Sequence, residues 1–465
     1  MRHDMDAKKA KANERAHCLI LPYPSQGHIN PMLQFAKRLS HKRLKITLAL
    51  TRFLLKTIKG LSGGSISIGS ISDGFDEGGR AQAKTYEEYL ARFQQVGRET
   101  LMELLQALAD SGSPVDCVVY DPFIPWVLDL AKGSGLLAAA FFTQSCSVAC
   151  IYHRVYCGEL KVPVRGSEVV VVPGLPPLRA EEIPSFIDVH GSYPLAFELV
   201  TNQFQNIDKA DWMFINTFYE LEEEVINCMS RTWKVKAIGP TIPSMYLDKR
   251  LQEDKEYGLN VFKPTTNVCT NWLSQKQPKS VIYISFGSLA QLSVEQTEEL
   301  AQALTTLNKP FLWVVRSSEL AKLPKNFSKE TIEKGLIVSW CQQLEVLAHD
   351  AVGCFVTHCG WNSTLEGLSL GVPMVAMPQW IDQSTNAKFV VDVWRVGVWA
   401  RADEKGLARE GKICRCINHV MGGDGEEIRE NANKWKEMAR DAVDEGGSSD
   451  RSVEEFVSTL VSGSK

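Results

Sequence analysis

The chain alternates short apolar runs with longer segments whose apolar residues recur at helical spacing. In the first half, segments such as residues 31–42 place their apolar side chains on one helical face, and such segments separate the runs. Apolar runs that are spaced by helices and long enough to be buried on both faces predict a mostly parallel sheet covered by helices on both sides. These runs occupy residues 17–22, 45–51, 65–72, 116–122 and 136–142.

The same alternation starts again after a polar stretch at residues 243–270. Its apolar runs lie at residues 280–288, 311–316, 335–340, 352–358 and 396–400. Two similar α/β halves facing each other are therefore expected. The predicted divisions are a flexible tail (1–15), an N-terminal domain (16–245), a linker (246–270), a C-terminal domain (271–445) and a C-terminal helix (446–465) that packs back on the N-terminal domain.

Composition narrows the class of protein. The 465 residues are 44% hydrophobic and 23% charged, with a formal net charge of −4, which argues against a nucleic-acid or acidic-membrane surface. No apolar run is long enough to cross a bilayer, and the polar start lacks the core of a signal peptide. The 12 cysteines form no C-x-x-C pair. A cytoplasmic monomer with reduced thiols is expected.

A burst of polar residues follows the apolar run at 352–358. Residues 357–363 read THCGWNS and precede a helix predicted at 364–370. Ligands bind beyond the carboxyl ends of parallel strands, and a helix start with nearby His358 and Ser363 suits a phosphate. In a simpler interpretation, Asn362 or Ser363 only caps the helix. A zinc site is not expected, because the spacing of the nearby His and Cys residues matches no common site.

The first half supplies a candidate base. His28 follows the first apolar run in PSQGHINP, where Pro31 predicts the start of a helix, so His28 is expected in the preceding loop. Asp121 ends another strand of the same predicted sheet. A histidine titrates near neutrality and can remove a hydroxyl proton, while a carboxylate can orient its ring. By itself, a histidine beside a glycine is more often structural.

Several motifs together resemble those of plant secondary-product (family 1) UDP-glycosyltransferases. Residues 340–383 resemble the signature box of that family, with Gln342 where the family often has proline. LPYPSQGHINPMLQFAKRL (21–39), VVYDPFIPW (118–126) and VIYISFGSL (281–289) also match, so the resemblance runs from about residue 16 to the end. It implies the GT-B fold of two Rossmann-like domains, a UDP-sugar donor and a small acceptor, nearest the subgroup acting on phenolic acids, terpenoids and steroids.

The resemblance also implies roles for individual residues. Trp340 would stack on uracil, Glu366 would bind the ribose, and His358 would hold the diphosphate. Asp382 and Gln383 would bind the sugar, and Gln383 favours glucose over galactose. His28 and Asp121 would be the catalytic pair. The whole predicted UDP-sugar set is Ser288, Trp340, Cys341, Gln343, His358, Trp361, Asn362, Ser363, Glu366, Asp382 and Gln383.

The expected reaction is inverting transfer from UDP-glucose to a hydroxyl of a steroid, terpenoid or flavonoid. No metal is expected, because the only Asp-x-Asp triplet lies in the tail at residues 4–6. Three alternatives are an enzyme that forms glucose esters, a dinucleotide oxidoreductase and a non-catalytic binding protein. The oxidoreductase is disfavoured because no glycine-rich turn follows the first strand. The predicted acceptor pocket comprises Tyr86, Phe123, Phe142, Thr143, Ser147, Phe197 and Trp380, with Tyr193 and Leu195 nearby.

Overall fold

The computed structural model describes residues 16–57, 65–164, 168–188, 194–255, 257 and 266–463. The predicted tail, Tyr193 and part of the predicted linker (256 and 258–265) lie outside these residues. Within these ranges, fifteen strands occupy His17–Leu21 (β1), Lys45–Thr51 (β2), Ile66–Ile71 (β3), Cys117–Tyr120 (β4), Leu137–Phe142 (β5), Val169–Val170 (β6), Leu178–Arg179 (β7), Trp212–Ile215 (β8), Val235–Ala237 (β9), Val281–Ser285 (β10), Phe311–Val314 (β11), Gly335–Val338 (β12), Val352–Thr357 (β13), Met374–Ala376 (β14) and Gly397–Trp399 (β15).

Helices separate most of these strands. They occupy Gln26–His41 (α1), Arg52–Thr57 (α2), Tyr86–Asp110 (α3), Trp126–Gly133 (α4), Cys146–Tyr156 (α5), Ser185–Asp188 (α6), Pro194–Asn202 (α7), Glu223–Met229 (α8), Thr266–Leu273 (α9), Val294–Leu307 (α10), Phe327–Glu330 (α11), Gln343–Leu347 (α12), Trp361–Leu370 (α13), Gln383–Lys388 (α14), Glu410–Met421 (α15), Glu426–Val443 (α16) and Ser448–Gly463 (α17).

Thirteen of these strands form two separate parallel sheets, as the alternating pattern predicts, and β6 and β7 pair with each other in antiparallel orientation. The first has the order β3-β2-β1-β4-β5-β8-β9 and the second β12-β11-β10-β13-β14-β15. In each sheet the chain winds outward in both directions from one central pair, β1 with β4 and β10 with β13. A crevice forms at such a switch point, at the carboxyl ends of the two strands. Each half therefore provides one candidate site.

The helix α1 begins earlier than the sequence predicts. Ser25 has an extended backbone at the N-cap and the helix starts at Gln26, so His28 lies in the first turn of the helix and Pro31 lies inside it. Proline has no N–H, and in a helix this leaves the carbonyl four residues earlier, here that of Gly27, without its usual donor. The expectation of a loop around His28 is therefore wrong. Proline favours the first turn but tolerates a position just beyond it when the freed carbonyl finds another donor.

The helix α13 also starts earlier than predicted. Gly360 is its N-cap and Trp361 its first residue, so Asn362 and Ser363 lie in the first turn and not before it. The start predicted at residue 364 is therefore three residues too late.

The last helix, α17, packs on the first sheet although it follows the second in the chain. The Phe456 ring lies with its centroid 5.0 Å from those of Trp212 and Phe214, and it also contacts Phe35. Asp450, in α17, forms an ion pair with Lys42, with Oδ1 and Nζ 2.8 Å apart. The domain boundaries at residues 245, 270 and 445 stay predictions. Among the described residues, no helix is both long and apolar enough to cross a bilayer.

Candidate active site

The crevice of the first sheet brings His28 and Asp121 together. His28 follows β1, Asp121 follows the neighbouring β4, and His28 Nδ1 lies 2.6 Å from Asp121 Oδ2. Asp121 is buried, and its other oxygen accepts from the backbone N–H of Phe123 at 3.0 Å, which fixes the carboxylate. Since Nδ1 faces the carboxylate, Nε2 is the nitrogen with a lone pair for a substrate proton.

Aromatic side chains form a wall around His28. The ring centroids of Tyr23 and Phe123 lie 5.4 and 4.8 Å from that of the imidazole. The hydroxyl of Tyr23 is hydrogen-bonded to that of Tyr86 at 2.6 Å, and Thr143 Oγ1 lies 3.2 Å from His28 Nδ1. The predicted residues Tyr86, Phe123 and Thr143 are therefore grouped near His28, where aromatic rings lie beside three hydroxyl groups.

A hydrogen bond from the second half reaches the turn that carries His28. Asn362 Nδ2 donates to the Gly27 carbonyl at 2.8 Å. This carbonyl is the one that Pro31 leaves without a helical donor. The proline inside α1 therefore creates the acceptor by which the two crevices are joined. The Trp361 indole makes a second such link, donating to the Asn216 carbonyl at 2.7 Å.

In the second crevice, His358 lies between two glycines. A Cβ would lie 2.8 Å from His358 Nε2 if built on Gly287, and 2.5 Å from it if built on Gly360. Burial lowers the pKa of His358 to about 4, so the ring is neutral at pH 7. Its Nδ1 is buried and has no hydrogen-bond partner among the described residues. A neutral imidazole next to a helix start is suited to donate one hydrogen bond to a phosphate oxygen.

A network of side chains joins Gln343, Ser363 and Glu366. Gln343 Nε2 donates to Ser363 Oγ at 2.9 Å and to Glu366 Oε2 at 2.6 Å. The Tyr257 hydroxyl donates to the other Glu366 oxygen at 2.8 Å. Burial raises the pKa of Glu366 to about 7 despite these hydrogen bonds. A carboxylate held in this way can accept from the two hydroxyls of a ribose.

Asp382 and Gln383 lie at the start of α14. Asn386 Nδ2 donates to Asp382 at 2.8 Å, and burial raises the pKa of Asp382 to about 6. Gln383 is buried, and its side-chain oxygen accepts from the N–H groups of Gln379 and Trp380 at 2.8 and 3.1 Å. In this arrangement the amide nitrogen of Gln383 is the group that can donate to a sugar hydroxyl.

Both halves line one cleft of about 980 Å³. Six of the predicted UDP-sugar residues line it: Ser288, Trp340, Cys341, Gln343, Asn362 and Glu366. The cleft is also lined by residues for which the sequence predicts no role: Gln26, Gly27, Asn30, Lys255, Tyr257, Tyr283, Ser285 and Arg316. Arg316 donates to the carbonyls of Ser288 and Ala290, so it holds the loop after β10. Gln26, Gly27, Asn30, Tyr283 and Ser285 lie inside the matching motifs, whereas Lys255, Tyr257 and Arg316 lie outside them and reach the cleft through the packing of the two halves.

Two predicted acceptor residues are in the core. Phe142 is 1% exposed and stacks on Phe204, and the buried Ser147 hydroxyl donates to Glu222 at 2.7 Å. These contacts do not favour a direct role for either in binding an acceptor. Phe197 and Trp380 are partly buried. Phe123 and Leu195 do line a second cleft, of about 1090 Å³, which α3 and α7 flank.

A metal site is not found within the described ranges, where no group of His, Cys, Asp or Glu residues is arranged to hold an ion. The residues that face the cleft are amides, hydroxyls, aromatic rings and a few charged groups. They are suited to hydrogen-bond a nucleotide sugar directly.

Comparison with known proteins agrees with this geometry. A family model described as UDP-glucoronosyl and UDP-glucosyl transferase matches residues 253–441. The chain is 48% identical to UDP-glycosyltransferase 74E2 of Arabidopsis thaliana over 96% of this chain and 99% of that protein. It is 46% identical to the flavonol 7-O-beta-glucosyltransferase of the same plant, over 96% of this chain and 98% of that protein. The crystal structure of Os79 from O. sativa in complex with UDP matches with a TM-score of 0.89 and 41% identity, covering 95% of this chain and 100% of that one.

Two Rossmann-like sheets that share a cleft at their strand ends define a GT-B glycosyltransferase, as the resemblance implies. The chain belongs to the plant family 1 UDP-glycosyltransferases, and it is an enzyme that uses a UDP-sugar donor.

Proposed function

We propose that the enzyme transfers glucose from UDP-glucose to a hydroxyl of an apolar small molecule, with inversion at the anomeric carbon. The observation that carries this proposal is the His28–Asp121 pair, with Nδ1 and Oδ2 2.6 Å apart, beside a cleft to which both halves contribute. A protein that only bound a sugar nucleotide would not need a base oriented by a buried carboxylate.

His28 and Asp121 would move one proton during transfer. Nε2 of His28 takes the proton of the acceptor hydroxyl as its oxygen attacks the anomeric carbon, and Asp121 stabilises the imidazolium that forms. The bond from that carbon to the UDP oxygen breaks on the opposite face, so an α-linked donor gives a β-glucoside. His358 and the start of α13 offer hydrogen bonds to the departing diphosphate.

The donor assignment rests on the binding groups of the second crevice. Trp340 would stack on the uracil, Gln343 and Glu366 would bind the base edge and ribose, and Asp382 with Gln383 would bind the sugar. Glucose is favoured by Gln383. The donor would bind without a metal, because donated hydrogen bonds can neutralise the diphosphate in part. Turnover is therefore expected to be insensitive to EDTA.

The acceptor is assigned to an apolar ring system with a free hydroxyl. Tyr23, Phe123 and Tyr86 give the surroundings of His28 a mainly aromatic character. A carboxylic acid is already ionised near neutral pH and needs no base. The presence of an oriented base therefore favours a hydroxyl of a steroid, terpenoid or flavonoid over glucose-ester formation. The name of the flavonol glucosyltransferase relative is in keeping with such an acceptor.

The test incubates the enzyme with UDP-glucose or UDP-galactose and a panel of steroids, triterpenoids, flavonoids and aromatic acids. The release of UDP measures turnover on each acceptor. His28→Ala is expected to lower turnover on hydroxyl acceptors by about 10²–10⁴-fold. UDP binding, measured by titration calorimetry, should persist. His41→Ala, at the exposed other end of the same helix, is the matched control.

Two outcomes would contradict the proposal. If His28→Ala keeps more than half of the wild-type rate, His28 is not the base. If only the aromatic acids react and they give glucose esters, the hydroxyl assignment is wrong. A clear preference for UDP-galactose would overturn the donor assignment alone.

A further inference from the structure

The loop that precedes α14 has a strained backbone. Ile381, directly before Asp382, has a φ of +60°. A β-branched side chain in the left-handed region is a steric outlier, and such conformations cost of order 1–3 kcal/mol unless the surroundings impose them. The surroundings that impose this one belong to the other half of the molecule.

Ser185, in the first half, binds both backbone polar groups of Ile381. Its Oγ accepts from the Ile381 N–H at 2.7 Å, and its own N–H donates to the Ile381 carbonyl at 2.8 Å. The neighbouring side chains also meet, with the Phe186 and Trp380 rings edge to face at 6.1 Å. One residue of the first half therefore fixes the orientation of both peptide groups around the strained position.

Glu182 holds the same helix further along the chain. This carboxylate is only 1% exposed and pairs with Lys388 at 3.2 Å and with Arg401 at 3.0 Å. The Glu182 backbone carbonyl also accepts from Thr385 Oγ1 at 2.8 Å. The contacts of Ser185 and Glu182 thus lie on either side of the Asp382–Gln383 pair.

We propose that Ser185 and Glu182 are positioning residues for recognition of the donor sugar. They hold Ile381 and α14 so that Asp382 and Gln383 face the sugar, and this inference rests on the proposed sugar contacts of that pair. The proposed uracil, ribose and diphosphate contacts come from Trp340, Glu366 and His358, which lie outside α14 and the loop before it. Loss of either positioning residue should therefore weaken binding of UDP-glucose but not of UDP.

The test compares the affinities for UDP-glucose and UDP in the full-length enzyme. Ser185→Ala removes the acceptor of the Ile381 N–H, so the loop can relax. The KM for UDP-glucose is expected to rise about tenfold, which is about 1.4 kcal/mol. The Kd for UDP should be unchanged. Equal losses for UDP and UDP-glucose, or no loss for either, would overturn the proposal.

A glycine at position 381 tests whether strain is the cause. Glycine adopts positive φ without a steric penalty. Ile381→Gly alone should bind UDP-glucose nearly as the wild type does, and Ile381→Gly combined with Ser185→Ala should recover most of the affinity that Ser185→Ala loses. If the double variant binds no better than Ser185→Ala, Ser185 does not act by holding the strained loop.

The carboxylate contact is tested by Glu182→Gln, with Glu181→Gln as the matched control. Glu181 is the preceding residue, its side chain is 56% exposed, and it lies 3.7 Å from the same Arg401. Glu182→Gln should raise the KM for UDP-glucose several-fold and leave UDP binding intact, while Glu181→Gln should change neither. Equal effects of the two variants would overturn the role of Glu182.

Asp382→Ala separates this inference from the proposed function. If Asp382→Ala binds UDP-glucose as well as the wild type does, the assignment of the sugar contacts fails, and the positioning role fails with it. If Asp382→Ala weakens UDP-glucose binding while Ser185→Ala and Glu182→Gln do not, only the positioning role is overturned. Thermal melting of each variant shows whether the fold is retained.

Discussion

The two crevices have the same origin in the fold but different internal bonding. In each, polar side chains follow the two central strands of a parallel sheet. In the first crevice, His28 and Asp121 bond directly to each other, so the pair is complete without a ligand. In the second, Gln343 and Glu366 bond to each other and also to Ser363 and Tyr257, and a nucleotide would have to share or displace these hydrogen bonds. The first crevice is arranged for proton transfer and the second for the exchange of hydrogen-bond partners.

Changing the carboxylate of the first crevice should have the largest effect. Asp121→Asn keeps the size of the side chain but removes the charge that stabilises the imidazolium. Turnover should fall by about 10²–10³-fold, less than for His28→Ala, with little change in UDP affinity. Asp129→Asn, an acidic residue of the same half that pairs with Lys209, is the control. A normal rate for Asp121→Asn would show that the pair is not the chemical centre.

Crowding His358 should have the next largest effect, limited to the second crevice. Gly287→Ala adds a Cβ 2.8 Å from His358 Nε2 at a φ of +71°. Strain of this kind costs about 1–3 kcal/mol, which is about 5–150-fold in UDP affinity if it acts on the binding site. Gly112→Ala has a similar φ of +74° but no atom near its Cβ, so it should leave UDP affinity unchanged. Equal affinity losses in both variants would contradict the role of His358.

The pH dependence of stability should distinguish Glu366 from its amide variant. Because burial raises the pKa of Glu366 from 4.5 to about 7, the folded state binds more protons than the unfolded state in that window. The contribution of Glu366 to the free energy of unfolding therefore falls as pH rises from 4.5 to 7, by up to about 3 kcal/mol. Glu366→Gln removes this contribution. The free energy of unfolding of the variant, measured by urea denaturation, should therefore fall less steeply, or rise more steeply, between pH 4.5 and 7 than that of the wild type. Parallel curves would contradict the raised pKa.

The smallest expected effect comes from Tyr257. Tyr257→Phe removes one hydrogen bond to Glu366, a change of about 0.5–1.5 kcal/mol. UDP affinity, measured by titration calorimetry, should change by about 2–10-fold in either direction, since the hydroxyl both orients the carboxylate and competes with the ribose. The turnover number at saturating donor should not change. A large loss of turnover would mean that Tyr257 acts on the reaction itself.

The sequence predicts the sheets well because buried parallel strands are continuous apolar runs. It also predicts that Asp121 and His358 lie at strand ends, since each directly follows a strand, whereas His28 lies in the first turn of a helix and not in the predicted loop. The start of α1 is less predictable. Pro31 favours a helix start by local preference, but the helix begins after the N-cap Ser25, and Asn362 donates to the Gly27 carbonyl that Pro31 leaves without a helical donor.

The residues that sequence reasoning missed or misplaced depend on tertiary packing. Arg316 reaches the cleft from a strand end, and Tyr257 reaches it from the segment between the halves. No local sequence pattern predicts that either residue lines the cleft. Phe142 and Ser147 lie near the predicted acceptor loops in sequence, but their side chains point into the core. Periodicity indicates which residues lie in buried strands or near strand ends. It does not show which neighbouring residue buries a given side chain.

The return of α17 to the first sheet has a consequence for synthesis on the ribosome. Trp212, Phe214 and Phe35 emerge early, but their aromatic partner Phe456 is translated only after all strands of the second sheet. During elongation the nascent first half therefore exposes this patch, and it completes its core only after the second half has been made. Chaperone demand should fall late in translation, and a stop codon before Ser448 should yield a product that aggregates through its first half.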